Sequence, residues 1–377
     1  MHIVFLTNEY PKNDESHGGI GTFVQNLARN LIKKNSSVSV VGISNNHLDE
    51  TEIDEGVVIY RLPKSKAKFA KFIFNSNRIK DKLIEINSRE PIDVLEGSEL
   101  SFAFLPKRTS YKKVIRMHGG HHFFSVTLEK KTTFWRSYQE ITSFKKADAL
   151  IAVSNYVGQK TKELLNFKLP FITIYNFIDL EKFSKQKDQS VKKYSILFIG
   201  TICKKKGVKE LLEAFEIVKK NFPTVVLNLV GRDWSDEVVG SYTEYVKTFI
   251  SEDNRDAIFF HGVVPNAEIP TMINSAQVCV YPSHSESFGL TLIEAMAIEK
   301  PIVASRIPPF EEIMSSDISG LFCDPFSPND IAEKLIELLT DDAKGLEMGI
   351  NARKEVLQKF NSENIVQENI NFYKSLI

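Results

Sequence analysis

The feature that most constrains this chain of 377 residues is a repeated alternation of short apolar runs with segments long enough to form helices. The alternation occurs twice, before and after a polar stretch between Asn176 and Tyr194. Parallel strands need a crossover connection, so this pattern is typical of a parallel sheet wrapped by helices. The chain is also too long to fold around one ordinary hydrophobic core. The sequence therefore predicts an α/β protein with two Rossmann-like, doubly wound parallel-sheet domains.

The polar stretch and the C-terminal segment set the expected domain boundaries. We expect a first domain over residues 1–180 and a second over residues 190–360. Residues 361–377 open with a cap-like Asn-Ser-Glu and have an apolar stripe, which indicates a closing helix that packs back on the first domain. Two similar halves joined by a linker face each other across a cleft, and such a cleft is the usual location for a ligand.

The most informative local segment is Tyr281–Pro301, where an apolar run ends and good helix formers follow. Backbone N–H groups and the helix dipole favour an anion at such a junction. Glu286 lies just before the junction and can reach groups beside a bound phosphate. Glu294, more than a turn into the helix, can accept two hydrogen bonds from a vicinal diol such as a ribose. A nucleotide-sugar has these groups in this order; the alternative is two surface glutamates on an amphipathic helix.

Two other strand-to-helix junctions have residues suited to phosphate. Lys206 ends a run of three lysines before Gly207, and an ammonium there is a compact charge for phosphate oxygens, although a solvated lysine cluster is the alternative. Gly18 and Gly19 follow the first strand in a GGIG turn. The turn lacks the G-x-G-x-x-G spacing of dinucleotide sites, so a glycine turn that lets backbone approach a ligand is equally consistent with it.

His118 ends an apolar strand and is followed by Gly119, Gly120, His121 and His122. The carboxyl end of a parallel strand favours a functional role. A structural histidine and a zinc site are the alternatives, but the glycine-broken loop has no nearby carboxylate pattern. The chain also has no Asp-x-Asp for a carboxylate-held Mg²⁺. We therefore expect no metal and no cofactor, with a diphosphate held by lysine and helix N-termini alone.

The net charge of zero hides an uneven distribution. Residues 1–190 have 29 Lys+Arg against 21 Asp+Glu, a charge of +8, and the remainder has a charge of −8. A basic half favours an anionic surface or ligand. Its segment 62–82 has seven basic residues and three phenylalanines, which predicts contact with an anionic membrane or a lipid-linked acceptor; an exposed basic helix is the alternative. We expect no nucleic-acid partner.

The first residues and the cysteines indicate the compartment. MHIVFLTNEY is typical of a first strand rather than of a signal peptide, and no run of 18 apolar residues exists. Three widely separated cysteines lack metal-type spacing and favour a reduced compartment. We expect a cytoplasmic protein that can reach the inner face of the membrane.

Taken together, these residues resemble the family-4 retaining glycosyltransferases, which have the two-domain GT-B fold. The resemblance runs nearly end to end, and its most specific part is ESFGLTLIE (286–294) with PIVAS after it. It also includes SNYV (154–157), IYNFID (174–179), GTICKKKG (200–207), LVGRD (229–233) and FFHGVVP (259–265). It implies metal-independent transfer of a hexose-type sugar, with retention, from a nucleoside diphosphate sugar. The expected acceptor is a glycan or lipid-linked glycan in cell-surface polysaccharide synthesis.

The resemblance implies three catalytic residues. Glu286 would bind donor sugar hydroxyls and help to shape the transition state, Lys206 would neutralise the departing diphosphate, and His118 would hydrogen-bond the sugar near the reacting centre. In such enzymes the diphosphate oxygen is thought to accept the acceptor's proton on the same face, so no carboxylate nucleophile is needed.

The resemblance also implies donor contacts. Glu294 would hold the ribose diol, Gly19 would let the first loop approach the phosphates, and backbone near Val264 would read the base. Amides that follow Glu286 would cradle the sugar and phosphate. The implied donor-binding set is Gly18, Gly19, Thr201, Gly231, Arg232, Val264, Ser287, Phe288, Gly289, Leu290, Thr291 and Glu294.

Two positions depart from the family pattern. Thr201 stands where the family usually has arginine, five residues before the lysine, which removes one cation that Lys204 or Lys205 could replace. Phe177 stands where the linker commonly has glycine. Two other activities are compatible with the fold. A nucleotide-sugar 2-epimerase would need more acid and base groups, and Thr201 is the one hint of a non-catalytic nucleotide-sugar-binding subunit.

Overall fold

The computed structural model describes the whole chain except residues 13–17, 45–47, 67–70, 128–130, 187 and 237–239. The chain divides into two compact units. The first contains Met1–Phe177 together with Ser362–Ile377, and the second contains Ile178–Asn361. Each unit has a central sheet covered by helices, as the alternation of apolar runs predicts. No helix in the described part of the chain is long and apolar enough to cross a bilayer.

The first unit has an eight-stranded sheet. Its strands are β1 (His2–Leu6), β2 (Ser37–Ser44), β3 (Glu50–Asp54), β4 (Val57–Pro63), β5 (Val94–Gly97), β6 (Lys112–Met117), β7 (Ala149–Ala152) and β8 (Phe171–Thr173). The order is β3-β4-β2-β1-β5-β6-β7-β8. The helices between them are α1 (Gly19–Lys33), α2 (Lys71–Arg89), α3 (His121–Thr127), α4 (Phe134–Phe144) and α5 (Asn155–Leu165).

Strand β3 departs from the expected all-parallel arrangement. It pairs antiparallel with β4, whereas the other neighbours in this sheet are parallel. The two strands are joined by Glu55 and Gly56, which both have positive φ, 45° and 91°. Paired positive φ values are typical of the tight hairpin turns whose twist matches that of the strands. Because β3 is an edge strand with a polar sequence, its pattern does not have the apolar run that marks a buried strand.

The second unit has a six-stranded parallel sheet. Its strands are β9 (Ser195–Ile199), β10 (Val226–Val230), β13 (Ile258–Gly262), β14 (Val278–Tyr281), β15 (Ile302–Ser305) and β16 (Leu321–Cys323), in the order β13-β10-β9-β14-β15-β16. The short strands β11 (Ser235–Asp236) and β12 (Gly240–Ser241) form a separate hairpin. The helices are α6 (Val208–Asn221), α7 (Tyr242–Lys247), α8 (Ile269–Ser275), α9 (Leu290–Ala297), α10 (Pro308–Ile313), α11 (Pro328–Thr340) and α12 (Asp342–Lys359).

The last helix, α13 (Ser362–Leu376), belongs to the first unit. Its buried face is tied to the sheet by a polar network around the fully buried guanidinium of Arg116. The Arg116 Nε donates to Glu96 Oε1 at 2.7 Å, and its Nη2 donates to Asn369 Oδ1 at 2.5 Å. The Tyr373 hydroxyl donates to Glu96 Oε2 at 2.6 Å. Buried charges need such partners, so this network fixes where α13 packs.

Phe177, which replaces the glycine common in the family's linker, lies in the core of the first unit. Its ring packs edge-to-face against Phe23 at 5.8 Å between centroids, and 2 % of its surface is exposed. It is not among the residues with positive φ. The backbone here therefore does not require glycine, and the aromatic ring contributes apolar burial instead.

Candidate active site

The carboxyl ends of β9 and β14 bring Lys206 and Glu286 together. A single turn of 3₁₀ helix, Lys204–Lys206, follows β9, and the loop after β14 leads into α9. The Lys206 ammonium and the Glu286 carboxylate form an ion pair, and the Ser283 hydroxyl donates to the same carboxylate oxygen at 2.9 Å. Neighbouring strands of a parallel sheet end at one edge, which explains how residues 80 positions apart in sequence meet.

A glycine makes this close approach possible. Gly207 has φ of 65°, and a Cβ there would lie 1.9 Å from the carbonyl oxygen of Pro282. The backbone N–H of His284 donates to the Lys205 carbonyl at 2.8 Å and joins the same two loops. Only glycine combines this conformation with this contact, so Gly207 is required where the lysine loop meets the glutamate loop.

The electrostatics of the pair keep Glu286 ionised. Burial acts to raise the pKa of its carboxyl, but the ammonium groups of Lys206 and Lys205 outweigh burial, and the pKa is lowered from its ordinary value. Only 9 % of the surface of residue Glu286 is exposed, so it lies at the floor of the site rather than at the surface. A buried, ionised carboxylate beside two lysines can accept hydrogen bonds from hydroxyl groups and stabilise positive charge.

Glu294 lies on α9, one helical turn and more beyond the junction, and is half-buried. Burial raises the pKa of its carboxyl to about 8, opposed by the nearby ammonium of Lys182. None of the described residues forms a hydrogen bond with this carboxyl, so its oxygens are available to a ligand. A diol that donates hydrogen bonds to this carboxyl would favour its ionised form over the protonated form.

The N-terminus of α9 presents free backbone donors. Gly289 precedes the helix with φ of 144°, and a Cβ there would lie 2.6 Å from the ring of Phe310. Phe288 is buried and packs edge-to-face on Phe360 at 5.7 Å, which anchors the turn. Leu290 and Thr291 open the helix, and N–H groups in a first turn have no acceptor within the helix. Ser287 lies between Glu286 and this anchored turn.

The loops after β9, β10 and β13 are joined by backbone hydrogen bonds. Ile202 N–H donates to the Arg232 carbonyl at 2.9 Å, and Gly231 N–H donates to the Gly262 carbonyl at 2.8 Å. A Cβ at Gly231, where φ is 148°, would lie 1.9 Å from the carbonyl of Gly200. These contacts place Thr201 beside the 231–233 loop. Thr201 and Val264 are half-buried, and Arg232 is exposed.

In the first unit, His118 follows β6 and is buried. Its backbone N–H donates to Glu99 Oε1 at 2.6 Å, and its ring packs edge-to-face against Phe23 at 6.2 Å. Burial, with the nearby Arg116 guanidinium, lowers the pKa of the imidazole to about 3. The neutral imidazole is therefore favoured at physiological pH, and it can form hydrogen bonds but adds no positive charge.

The other two histidines of this loop have separate structural partners. His122 Nδ1 lies 2.5 Å from Glu140 Oε2, and its Nε2 lies 3.0 Å from the Ser137 hydroxyl. His121 Nε2 accepts from the Thr133 backbone N–H at 3.0 Å. Across the described residues, no group of three or more His, Cys, Asp or Glu side chains is arranged to hold a metal ion.

A cavity of about 630 Å³ opens beside His118, within the first unit. Its wall includes Glu99, which the sequence reasoning missed. Burial raises the pKa of this carboxyl to about 8, and the neighbouring Glu140 carboxylate contributes to the increase. Its position in the sequence could have indicated a role, because Glu99 comes two residues after β5 and so lies at the carboxyl edge of the sheet. The lining residues are Ile20, Ser98, Glu99, Leu100, His118, Gly119, Gly120, His121, Phe124, Ser125, Lys131, Thr133 and Arg136.

The glycine turn at the start of α1 reaches the same cavity through Ile20. Gly18 is the residue before α1 and has ordinary extended backbone, and Gly19 is the first helical residue. The glycine that packing requires is Gly21, where a Cβ would lie 1.8 Å from the Glu9 carbonyl oxygen. Packing therefore requires glycine at Gly21, whereas the side-chain carboxylate of Glu9 lies beside Gly18.

The class of protein follows from this fold together with two family matches. Residues 17–182 match the family described as Glycosyltransferase Family 4, and residues 179–355 match Glycosyl transferases group 1. The two matches together run from residue 17 to residue 355. The chain belongs to the family-4 type of glycosyltransferases and has the GT-B fold, as its sequence motifs predicted.

Similar proteins agree with this assignment. An uncharacterized glycosyltransferase of Methanocaldococcus jannaschii is 27 % identical over 95 % of both chains. The capsular polysaccharide biosynthesis glycosyltransferase CapM of Staphylococcus aureus is 26 % identical over 79 % of this chain and 78 % of its own. The structure of HepE from Anabaena, solved with UDP and glucose, superimposes with a TM-score of 0.80 at 16 % identity over 99 % of both chains.

Proposed function

We propose that this glycosyltransferase transfers a hexose-type sugar from a nucleoside diphosphate sugar with retention and without a metal. The observation that carries the proposal is the buried ion pair of Lys206 and Glu286 beside the N-terminus of α9. Ammonium groups and helix N–H groups suit a diphosphate, and an ionised carboxylate suits sugar hydroxyls and a developing oxocarbenium ion.

The proposed reaction needs no covalent intermediate with the protein. The bond from the anomeric carbon to the diphosphate oxygen breaks, and the acceptor hydroxyl bonds to the same face of that carbon. The acceptor's proton passes to the departing diphosphate oxygen. Lys206 and the first-turn N–H groups of α9 neutralise the charge that develops on this leaving group. Neutral His118 contributes a hydrogen bond to the sugar without adding a cation beside the oxocarbenium ion.

Glu294 and the joined loops supply donor recognition in this proposal. The half-buried carboxyl of Glu294 accepts hydrogen bonds from a ribose diol, and backbone near Val264 contacts the base. Thr201 stands where the family usually has arginine. Arg232 is exposed, and its backbone carbonyl accepts a hydrogen bond from Ile202, the residue after Thr201. Its guanidinium is therefore a further cation available to the diphosphate. The complex of HepE with UDP and glucose supports a UDP-hexose as the first donor to test.

The proposed acceptor is a glycan or lipid-linked glycan in cell-surface polysaccharide synthesis. The likeness to CapM supports this pathway class. We also propose that residues 62–82 contact the inner face of an anionic membrane. Within that segment Lys68 and Phe69 lie outside the described residues, and α2 begins at Lys71.

We propose that α4 takes part in the same membrane contact. Phe72 of α2 packs against Phe104 and Trp135, with ring centroids 4.9 and 4.4 Å away. It is therefore half-buried and holds α2 to α4. Several large side chains on these two helices are exposed. We call them the aromatic surface: Ile73 at 44 %, Phe74 at 50 %, Phe134 at 87 %, Trp135 at 40 % and Tyr138 at 48 % exposure.

Product stereochemistry tests the reaction. The donor is first chosen by thermal stabilisation in a panel of nucleoside diphosphate hexoses, since a ligand at 100 times its Kd adds about 2.7 kcal/mol. The enzyme is then incubated with the selected α-linked donor and excess chelator, and the released or transferred sugar is followed by proton NMR. We expect the α-anomer to form first, at a rate that chelation does not change, and Glu286→Gln to abolish it.

Four results would contradict the proposal. A β-linked first product would exclude retention, and activity lost on chelation and restored by Mg²⁺ would exclude metal independence. Conversion of the donor to its 2-epimer without an acceptor would identify an epimerase. Donor binding without hydrolysis or transfer, under conditions that retain folded protein, would indicate a binding subunit.

A further inference from the structure

We propose that the cavity beside His118 binds an acceptor that carries a phosphate, and that Lys131 and Arg136 bind this phosphate. The inference rests on the proposed function, because it assigns the acceptor's chemical class to the first unit. It concerns residues that are distinct from the predicted donor set. The size of the cavity, the two cations on its wall and the neutral groups on its floor each support it.

The size of the cavity suits a sugar phosphate. Small-molecule sites commonly have volumes of about 300–1,000 Å³, and this cavity has about 630 Å³. It is wholly lined by residues of the first unit and is partly apolar through Ile20, Leu100 and Phe124. Apolar side chains can pack against a sugar ring, and the polar groups between them can fix its orientation.

Two cations on this wall have no carboxylate partner among the residues that the structure describes. Lys131 and Arg136 line the cavity and are exposed, and neither forms an ion pair with another residue that the structure describes. The planar guanidinium of arginine can donate two parallel hydrogen bonds to a phosphate, and a lysine ammonium adds a compact charge. Thr133 and Arg136 also belong to the start of α4, where the helix dipole favours an anion.

The acidic groups near the cavity do not cancel these cations. Glu140 is fully buried and is bonded to the ring and the backbone N–H of His122. Glu99 accepts from the His118 backbone N–H, and its surroundings favour the protonated carboxyl. The floor formed by Glu99 and neutral His118 therefore offers hydrogen bonds to hydroxyl groups, while the positive charge is concentrated at Lys131 and Arg136.

The same phosphate chemistry has a soluble and a membrane source. Arg136 lies between Trp135 and Ser137 on α4, and the exposed rings of Phe134, Trp135 and Tyr138 on that helix belong to the aromatic surface. A phosphate at Arg136 could therefore belong to a soluble acceptor or to a membrane lipid. The inference assigns it to the acceptor, and the experiment separates the two sources.

The experiment compares glucose 6-phosphate with glucose as probes, by saturation-transfer NMR on the full chain. We expect the wild type to bind the phosphate at least about tenfold more tightly, because a charge-assisted phosphate contact contributes that order of affinity. The double variant Lys131→Gln/Arg136→Gln should reduce this preference to near unity. Lys112→Gln/Arg89→Gln, which removes two exposed bases outside the cavity, should retain it.

A second arm uses vesicles of phosphatidylcholine with phosphatidylglycerol. If the double variant loses vesicle binding while the wild type shows no preference for glucose 6-phosphate, the two bases serve the bilayer and the inference is wrong. It is also wrong if the double variant, with an unchanged melting temperature, keeps the preference. Hydrolysis of the donor is measured separately on the same variants. Donor hydrolysis with no phosphate preference defeats this inference alone, and the converse result defeats the proposed function alone.

Discussion

Glu294 is a residue whose protonation we expect to change when a nucleotide binds. Its carboxyl has a pKa raised to about 8 in the free protein, chiefly by burial. A ribose diol hydrogen-bonds best to the ionised form, so binding should release a proton. We therefore expect the affinity for UDP to rise with pH up to about 8 and then to level off. Isothermal titration across pH 6–9 in buffers of different ionisation heat measures both the affinity and the proton.

The matched variant is Glu294→Gln, which cannot ionise. It should bind UDP about 1.5–3 kcal/mol more weakly at pH 8, and its affinity should lack the pH dependence of the wild type. A raised carboxyl pKa means that the folded state binds more protons than the unfolded state between the two pKa values, so stability falls as pH rises through that range. The free variant should therefore melt no lower than the wild type at pH 8. Unchanged UDP affinity would remove the ribose role.

A variant of Lys206 can distinguish an effect on catalysis from an effect on substrate binding. Lys206→Ala removes the ammonium that we assign to the leaving diphosphate, and we expect kcat to fall by about 10²–10³. KM should change less than kcat, because the charge on the leaving oxygen develops in the transition state. Lys205→Ala is the matched control on the same turn, with an expected smaller effect. Equal losses in both variants would mean that the lysine run acts only as a diffuse positive charge.

The sequence predicts a set of donor-side residues but not their contacts. Spacing predicted that Glu286 precedes a helix and that Lys206 follows a strand, yet their ion pair depends on β9 and β14 being neighbours in the sheet. Strand order is a long-range property that one sequence does not display. Glu99 and Glu140 were missed for a related reason, since burial rather than any motif gives them their environment.

At the scale of elements, α13 is held to the first unit by a small number of buried polar contacts. Tyr373→Phe removes the hydroxyl that donates to Glu96 at 2.6 Å and leaves that buried carboxylate with one fewer partner. We expect a loss of about 1–3 kcal/mol in the stability of the first unit. Asn371→Ala, on the exposed side of the same helix, should change stability by less than about 0.5 kcal/mol.

The two tryptophans allow this unit to be measured separately. Trp135 belongs to the first unit and Trp234 to the second. In a Trp234→Phe background, fluorescence during urea unfolding reports the first unit, which avoids treating a two-unit chain as a single transition. A Tyr373→Phe midpoint that equals that of Asn371→Ala would show that the hydroxyl contributes nothing to the docking of α13.

The predicted elements were those with a strong apolar pattern. The buried strands of both sheets have such runs, and they form as expected. Strand β3 was missed because its ETEID sequence alternates polar residues at a sheet edge. Strands β8 and β16 have three residues each, too few to display a period. These elements are specified by their neighbours rather than by their own sequences.

At the scale of the whole molecule, the charge asymmetry predicts a reversible membrane contact. The basic half contains residues 62–82, and each lysine or arginine near an anionic bilayer contributes about 1 kcal/mol at low salt. Exposed rings lie on both α2 and α4, two helices that the contact between Phe72 and Trp135 holds together. We expect the wild type to sediment with vesicles that contain phosphatidylglycerol at low ionic strength, and to be released as salt screens the charges.

Two sets of variants distinguish the contributions to this contact. Phe74→Ser/Phe134→Ser removes two exposed rings, and we expect at least about tenfold weaker partitioning at every salt concentration, because apolar insertion is not screened. Replacing Lys64, Lys66, Lys68 and Lys71 by glutamine should instead flatten the salt dependence and spare UDP binding. Leu346→Ser, at an exposed position of the second unit, is the control. A wild type that stays in the supernatant at low salt would mean that the acceptor reaches this enzyme from solution.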